Sequence, residues 1–383
     1  MKSSLILIAG LTLILATGSS GANWTTLDFP GVEETYAFGI DGDKIVGAYL
    51  DTSGNLHGFL YDGANWTTLD FPGALVTYAL GIDSDKIVGA YWDTSGNLHG
   101  FLYDGANWTT LDFPGAGATE LNGIDGNRIV GVYGVDVYSL DCGFLYDGVN
   151  WTNLDFQGSH MGVAYDIDGD KIVGVRDFNS FCYDGYNLTI LNFPGAKGTS
   201  AQGIDGENIV GFWYYGNYHS HGFLYDGANW TTLDFPGAEE TELCSIDGGK
   251  IVGCYLVGSR YHGFIYTIPA PPIEAEVDVD PDTLNLNSKG KWITCYICLP
   301  EEYNVADVNS ASVFLEDEIG AAWIWADEQT QLVMAKFNRS DVQEMLTQLG
   351  ELGEVELTVT GKLIDGTPFE GMDIIKVIDK GKK

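Results

Sequence analysis

Basic residues are scarce in this chain of 383 residues. It contains 18 lysines and arginines against 54 aspartates and glutamates, and its formal net charge is −36 at pH 7. A surface of this sign repels phosphate backbones and anionic lipid headgroups, so nucleic acid and anionic membranes are poor partners. Cations and neutral glycans are better ones. The same charge excess is also typical of a highly soluble protein or of one from a salty habitat.

Long hydrophobic runs and helical patterns are nearly absent as well. The one long apolar run, Ser4–Ala16, follows Lys2 and is succeeded by small residues as far as Ala22. This order predicts a secretory signal peptide at residues 1–22, because the run is too short for a comfortable membrane span. No second run follows. We therefore expect a protein without a membrane span that is secreted or held at the cell surface.

A repeat dominates the rest of the sequence. Residues 21–62 read GANWTTLDFPGVEETYAFGIDGDKIVGAYLDTSGNLHGFLYD, and residues 63–104 are nearly the same. Weaker copies start at Gly105, Gly148, Gly185 and Gly227. Six copies of about 40 residues indicate a solenoid, a propeller or an array. The abundance of Tyr, Trp, Phe and Gly favours an all-β fold.

Each copy contains four short β patterns, which in the first copy are NWTTLDF, TYAFGID, KIVGAYL and HGFLYD. KIVGAY and GFLY are continuously apolar and therefore predict strands that are buried on both faces. Six four-stranded sheets of this kind predict a six-bladed β-propeller at residues 23–268. After Tyr266 the usual Asp-Gly turn is missing. We expect the orphan strand Asn23–Phe29 to fill the empty outer position of the last blade and close the ring.

The repeat also resembles a known family. The motif HGFLYDG…TTLDFPGA…GIDG…IVGAY is similar to the HAF-type extracellular repeats of secreted prokaryotic proteins, and the strand order resembles that of kelch-type blades. The resemblance covers about two thirds of the chain. It implies an extracellular location and a propeller architecture, but no activity.

The repeats end at a proline-rich linker, residues 269–273. Residues 274–383 contain about eight β patterns and one helix, for which Ser340 and Gln343 predict a capping box and Gly350 predicts the end. This composition predicts an immunoglobulin-like (Ig-like) β-sandwich with one helix. Its opening, VDVDPDTLNLNSKGKWITCYICLPE, resembles a C-terminal module of secreted archaeal and bacterial proteins. The resemblance implies a structural or attachment role without catalysis.

Two of the six cysteines occupy related positions in the last repeat. Cys244 replaces Phe38 of the first copy and Cys254 replaces Ala48, on two strands joined by a tight turn. Because both changes fall in the same blade, we predict a cross-strand disulfide if the geometry permits one.

An aspartate recurs at the end of the inner strand of every repeat. Aspartate suits the turn that follows. The same six carboxylates could instead surround one mouth of the channel and hold a cation such as Ca²⁺, the only cofactor that the sequence suggests. These residues are Asp41, Asp83, Asp125, Asp168, Asp205 and Asp247.

The copies differ most in two sets of loops, which share one face in a propeller. The loop of the fifth copy is the most aromatic. Aromatic rings stack on sugar rings, so these loops predict a carbohydrate-binding face. The alternative is that the rings pack between blades. The candidate ligand-binding residues are Trp92, Trp213, Tyr214, Tyr215, Tyr218, Arg260 and Tyr261.

The sequence therefore predicts a secreted, non-catalytic binding or adhesion protein whose partner is a glycan or a surface protein. No Asp-box, Ser-His-Asp or zinc signature is present, so an enzyme is not favoured. Two alternatives stay open at this point. One is a secreted enzyme that acts on polysaccharides, and the other is a Ca²⁺-binding component of a coat or matrix.

Overall fold

The computed structural model describes residues 23–136, 138–154, 162–216 and 219–380. The predicted signal peptide lies outside the described residues. The chain divides into two compact units, Met1–Ile268 and Pro269–Lys383, and the division falls where the predicted linker begins. In the part of the chain that the structure describes, no helix is both long and apolar enough to cross a membrane.

The described part of the first unit consists of four-stranded antiparallel sheets, here numbered 1 to 6 in chain order. The first strand of the chain, β1 (Trp24–Leu27), belongs to the last sheet. Sheet 1 contains β2 (Glu34–Asp41), β3 (Lys44–Leu50), β4 (Leu56–Tyr61) and β5 (Trp66–Leu69). Sheet 2 contains β6 (Val76–Asp83), β7 (Lys86–Trp92), β8 (Leu98–Tyr103) and β9 (Trp108–Thr110). Sheet 3 contains β10 (Ala118–Asp125), β11 (Arg128–Gly134), β12 (Leu140–Tyr146) and β13 (Trp151–Asn153).

The other three sheets repeat this order. Sheet 4 contains β14 (Val163–Asp168), β15 (Lys171–Arg176), β16 (Asn179–Tyr183) and β17 (Leu188–Leu191). Sheet 5 contains β18 (Gly198–Asp205), β19 (Asn208–Tyr214), β20 (Ser220–Tyr225) and β21 (Trp230–Thr232). Sheet 6 contains β22 (Glu240–Asp247), β23 (Lys250–Val257), β24 (Arg260–Thr267) and the N-terminal β1.

The first strand of each sheet is its inner strand. The inner strands contact one another in succession, and β22 of sheet 6 contacts β2 of sheet 1. Glycine permits this close approach: a Cβ on Gly39 would lie 2.6 Å from the backbone oxygen of Leu80 in the next sheet. The inner strands therefore surround one central space.

The N-terminal strand pairs with the C-terminal strand of the unit. β1 runs antiparallel to β24, with Trp24 opposite Tyr266 and Leu27 opposite Gly263. This is the partner that the missing turn after Tyr266 predicts. The pairing gives sheet 6 its fourth strand.

The core of the first unit is divided into separate clusters between the sheets. One cluster contains Leu27, Ala37, Ile45 and Phe59, and the Phe59 side chain is fully buried. A fully buried phenylalanine recurs at the corresponding position of every sheet. Each sheet therefore buries both faces against neighbours, as the continuously apolar strands predict.

The second unit contains two sheets and one α-helix in its described residues. One sheet has the order β25-β34-β33-β29-β30, with β27 also paired to β34, and the other has the order β26-β28-β32-β31. Its first strands are β25 (Ile273–Glu274), β26 (Glu276–Asp280), β27 (Thr283–Asn285), β28 (Trp292–Cys298) and β29 (Phe314–Leu315). The others are β30 (Ile319–Gly320), β31 (Trp323–Asp327), β32 (Leu332–Asn338), β33 (Gly353–Lys362) and β34 (Pro368–Ile378). Two 3₁₀ helices cover Val305–Asp307 and Ser310–Ser312.

The α-helix, α1 (Arg339–Leu349), begins two residues earlier than the capping-box pattern predicts. Asn338 holds the N-cap position, although its side chain makes no capping hydrogen bond. The predicted cap was wrong because Ser340 already lies in the first turn, where its hydroxyl donates to Asp341. The Gln343 amide donates instead to the backbone oxygens of Asn285 and Ser288. The helix ends at Gly350 in a left-handed conformation, as predicted.

Candidate functional site

The recurrent aspartates lie together at one end of the central space, but each carboxylate is used between neighbouring sheets. Asp41 Oδ2 accepts a hydrogen bond of 2.7 Å from the backbone N–H of Ser84, in the tight turn of the next sheet. Asp247 of sheet 6 accepts the equivalent bond from Gly42 of sheet 1, also at 2.7 Å. The remaining acceptors and donors are Asp83 and Gly126, Asp125 and Gly169, Asp168 and Gly206, and Asp205 and Gly248.

This ring of hydrogen bonds gives the aspartates a structural role. The described residues contain no group of three or more His, Cys, Asp or Glu side chains that could hold a metal ion. The Ca²⁺ interpretation of the six aspartates therefore gains no support, because one oxygen of each carboxylate already accepts a hydrogen bond from a backbone amide of the next sheet. A basic residue of the second strand strengthens several of these links. Lys44 Nζ, for example, donates to Ser84 O at 2.9 Å and to Asp85 Oδ1 at 2.7 Å.

The central space contains a cavity of about 150 Å³ lined by all six inner strands. The aspartate ring forms one end of it. Further along, the walls carry the polar side chains Asn122, Tyr165, Asp166 and Gln202 between apolar ones. Inner strands are sheet edges, so their unpaired backbone groups also face this space. The cavity is therefore polar although it lies between hydrophobic clusters.

One of these polar side chains, Asp166, replaces a glycine. It stands in sheet 4 where Gly39 stands in sheet 1. Its Oδ2 accepts a hydrogen bond of 3.0 Å from Ile204 N in sheet 5. Burial raises the pKa of Asp166 to about 7, and hydrogen bonds to the carboxylate offset only part of this effect.

The predicted ligand-binding aromatics separate into buried and exposed groups. Trp213 is half-buried and stacks on Phe193 at 4.5 Å between ring centroids, while its indole nitrogen is buried without a hydrogen-bond partner. Trp213 takes the place that Tyr91 holds in sheet 2, where the ring stacks on Phe71. Phe193 lies in the connection between sheets 4 and 5, so the alternative that the ring packs between blades describes Trp213 better, and its role as a ligand contact stays a prediction.

Two further candidates are also half-buried. Trp92 packs against a small cluster formed by Ala90, Leu98 and Ala118. Tyr214 lies opposite Gly198, and a Cβ at that glycine would meet the tyrosine ring. The side chains of Trp92 and Tyr214 therefore pack against neighbouring strands, which agrees better with the alternative interpretation than with a ligand-binding surface.

Three predicted residues do reach the loop face. We use this name for the face opposite the aspartate ring, which is formed by the loops that precede the inner strands and by the loops that join the second and third strands of each sheet. Tyr215 is 63% exposed. Arg260 is exposed and its Nη2 lies 3.8 Å from Glu33 Oε1. Tyr261 is half-buried and donates its hydroxyl proton to Glu240 Oε2 at 3.2 Å. Tyr218 lies outside the described residues.

Sequence reasoning missed two aromatic residues on the same face. Tyr138, in the loop between β11 and β12, is 94% exposed, and Phe178, in the turn between β15 and β16, is 72% exposed. Phe178 has φ of 64°, a left-handed conformation that is strained for a bulky residue. The available signal was a two-residue turn, Asp177-Phe178, without the glycine or asparagine that such turns favour.

The two cysteines of sheet 6 are close neighbours. Cys254 is buried, Cys244 lines the cavity, and both are free thiols in this structure. The hydrogen bond between the two thiols is the main cause that raises the pKa of Cys254, and burial of the Cys254 thiol raises it further. Cys244 lies at the bulge between Leu243 and Ser245, which brings its side chain towards the strand that carries Cys254. The disulfide stays a prediction.

We expect oxidation of the folded chain with oxidised glutathione to join Cys244 to Cys254. A bond that closes so short a loop is expected to stabilise the unit by roughly 2–3 kcal/mol. Mass spectrometry of non-reduced peptides checks the link, and Cys295 of the second unit, which is buried, serves as the control that stays outside it. Alkylation of both Cys244 and Cys254 after this treatment, without prior reduction, would show that the prediction is wrong.

No protein-family model matches the chain. No curated protein matches it either. Among solved structures, it is similar to the fucose-specific lectin from Aleuria aurantia, with 14% identity and a TM-score of 0.37 over 63% of this chain and 99% of that one. A structure of the same lectin described as a six-bladed β-propeller gives 16% identity and a TM-score of 0.38 over 64% and 99%. The β-propeller domain of the Trilobed protease from Pyrococcus furiosus gives 12% and 0.38 over 70% and 90%.

Proposed function

We propose that residues 23–268 form a six-bladed β-propeller of the HAF-type extracellular repeat class, closed by β1, and that this exported protein binds glycans without catalysis. The succession of inner-strand contacts from β2 to β22 and back to β2 supports the ring. Residues 274–383 serve as an Ig-like spacer or attachment module. The signal-peptide pattern at residues 1–22 supports export.

The observation that carries the binding proposal is the set of exposed apolar side chains on the loop face. Tyr138, Phe178 and Tyr215 belong to sheets 3, 4 and 5, and all three are well exposed. Three exposed aliphatic residues, Leu75, Val135 and Val257, lie at the same end of sheets 2, 3 and 6. Exposed apolar residues gathered on one face mark an interaction surface more often than single scattered ones do.

Sugars fit this surface chemically. A pyranose ring presents a flat apolar face that stacks on an aromatic ring, while its hydroxyl groups remain free to form hydrogen bonds. The strained turn at Phe178 agrees with a functional position, because strain of this kind persists mainly where the side chain is needed. A strongly negative surface also favours neutral or cationic glycans over acidic ones.

The recurrent histidines support a non-catalytic interpretation. His57 Nδ1 lies 2.8 Å from Asp70 Oδ2, and the imidazole stacks on Tyr49 at 5.2 Å. The same pairing recurs for His99 with Asp112, His221 with Asp234 and His262 with Asp28. Each histidine lies in the third strand of a sheet and each aspartate lies just after the fourth strand, away from the inner strands. They are therefore structural links that repeat with the sheet.

The test is a variant with Tyr138→Ala, Phe178→Asn and Tyr215→Ala, in which Asn suits the left-handed backbone at position 178. Each stacking contact is worth about 0.5–1.5 kcal/mol, so we expect affinity for the cognate polysaccharide to fall at least ~10-fold. The measurement is retention on a glycan array, followed by calorimetry with the glycan retained by the parent protein.

Tyr186→Ala is the matched control. Tyr186 is 92% exposed but lies in the turn between β16 and β17, on the opposite face. This variant should bind as the parent does. Equal binding by the triple variant, with an unchanged melting temperature, would contradict the proposal. Loss of binding in the control alone would move the site to the aspartate-ring face.

A further inference from the structure

Each inner strand carries one residue that lies nearer the loop face than the cavity walls do, at the same position in all six sheets. In the antiparallel pairing with the second strand, these six residues stand opposite Ala48, Ala90, Val132, Val175, Phe212 and Cys254. We call this set the glutamate level, because sheets 3 and 6 each contribute a glutamate to it. Its members are Tyr36, Tyr78, Glu120, Val163, Ser200 and Glu242.

The two glutamates of this level have no cationic partner. Among the described residues, no group forms a hydrogen bond or ion pair with the side-chain carboxylate of Glu120, whose backbone is paired with Val132 of β11. Glu242 accepts one hydrogen bond, from Ser220 Oγ at 3.0 Å, and no ion pair of the described residues includes it. Burial raises the pKa of Glu120 to about 7 and also raises that of Glu242. An enclosed carboxylate without a partner is costly, and such groups cluster at functional sites.

The negative charges of Glu120 and Glu242 both affect a residue of the cavity between the inner strands. Burial is the main cause of the raised pKa values of Tyr78 and Tyr165, and the negative charge of Glu120 raises both further. The charge of Glu242 contributes at Tyr165 as well. Tyr165 lines the axial cavity, so the field of both glutamates reaches into the channel between the inner strands. Sheets 3 and 6 stand three positions apart in a ring of six, which places the two carboxylates on opposite sides.

The side chains of this level are also reachable from solvent. Glu120, Glu242 and Tyr78 of this level, and Tyr165 in the cavity wall below it, each keep intermediate exposure, although the residues next to them in the inner strands, such as Thr77 and Ala79, are buried. Alternation of this kind means that these four side chains face the channel and not the neighbouring sheets. A small molecule that enters from the loop face therefore meets the two carboxylates and the ring of Tyr78 before it reaches the ring of Tyr165.

We propose that the loop-side opening of the channel binds a ligand with protonated primary amines, held by the carboxylates of Glu120 and Glu242 and the rings of Tyr78 and Tyr165. Carboxylates accept the N–H bonds of an ammonium group, and aromatic faces attract its charge. A single metal ion fits less well, because no described group offers three metal-binding side chains. Two carboxylates on opposite walls suit a chain with an ammonium group at each end.

The amine site is separate from the exposed aromatic residues of the loop face and does not depend on glycan binding. The probe is 1,5-diaminopentane, titrated calorimetrically into the full chain at pH 8, which lies above the pKa of about 7 that burial gives Glu120. About 0.15 M NaCl screens the remaining surface charge. We expect saturable binding, whereas 1,5-pentanediol, which has the same length without charge, should not bind.

Glu120→Gln and Glu242→Gln keep the shape of each side chain and remove its charge. We expect each to weaken diamine binding about 10-fold, while the exposed loop-face variant Glu33→Gln leaves it unchanged. The aromatic triple variant should also bind the diamine normally, so failure of the glycan proposal and failure of this one are distinguishable. The proposal is overturned if the parent shows no saturable binding. It is equally overturned if the double variant Glu120→Gln, Glu242→Gln binds the diamine as the parent does.

Discussion

Deletion of residues 23–30 should strongly destabilise the first unit and cause it to aggregate. The deletion removes β1 and leaves β24 as an unpaired sheet edge, which is a template for intermolecular pairing. It also removes Trp24, whose ring lies 5.0 Å from Phe264 and 4.5 Å from Tyr266. Leu27 is only 6% exposed and is lost as well. Truncating two such side chains typically costs about 2–5 kcal/mol each, which is a large share of a domain's usual stability of roughly 5–15 kcal/mol.

Differential scanning calorimetry and size-exclusion chromatography measure this effect. Thr25→Ala is the control, because Thr25 lies in β1 with its side chain exposed and its backbone hydrogen bonds unaffected. The control should melt and elute as the parent does. An unchanged melting temperature in the deletion variant would mean that β1 does not hold sheet 6 together.

Raising the pH from 5.5 to 8.5 should lower the melting temperature of the first unit, and Glu120 and Asp166 should account for most of the change. Burial raises the pKa of both carboxyls to about 7, from ordinary values of 4.5 and 3.8. The folded state therefore binds these two protons more tightly than the unfolded chain does. Stability falls as the pH rises from the ordinary pKa values towards 7 and stays low above it. The combined loss is on the order of 5 kcal/mol, because one pKa unit corresponds to about 1.4 kcal/mol.

The double variant Glu120→Gln, Asp166→Asn tests this assignment. Because neither side chain can ionise, its melting temperature should depend less on pH and should exceed that of the parent at pH 8.5. Carboxyls with lowered pKa values, such as Asp93 at about 2, act in the opposite direction only at much lower pH. If the double variant follows the same pH curve as the parent, the two buried carboxyls are not the cause.

The sequence predicts the sheets well because the repeat states the same pattern six times. The apolar segment KIVGAYL and its relatives become strands with both faces buried, as in β3 and β7. The missing turn after Tyr266 predicts the partner of β1 correctly. Such features follow from local patterns of apolar residues and turn residues. Because the same pattern recurs in every copy of the repeat, each copy supports the prediction made from the others.

The candidate site is predicted less well, because side-chain exposure depends on the neighbouring sheet. Trp213 looks like part of an aromatic loop in the sequence, yet Phe193, twenty residues away, supplies the ring on which it stacks. Glu120 differs from Tyr36 of the first copy, but only the structure shows that it keeps intermediate exposure on an inner strand between the buried residues Thr119 and Leu121. A substitution within a repeat indicates a position that differs from the other copies. Whether its side chain is exposed or buried depends on residues of other copies, which the local sequence does not show.

The aspartate ring also bears on how this chain could have grown. Each repeat supplies one hydrogen-bond acceptor, its aspartate, and one donor, the backbone amide of its own tight turn. The aspartate bonds to the sheet on one side and the amide bonds to the sheet on the other side. A duplicated repeat inserted beside its parent would therefore find matching partners on both sides without any new mutation. The near identity of residues 21–62 and 63–104 is what a recent duplication of this kind leaves behind. A ring built from interchangeable links lets recombination alter the order of the repeats while every junction keeps its hydrogen bond.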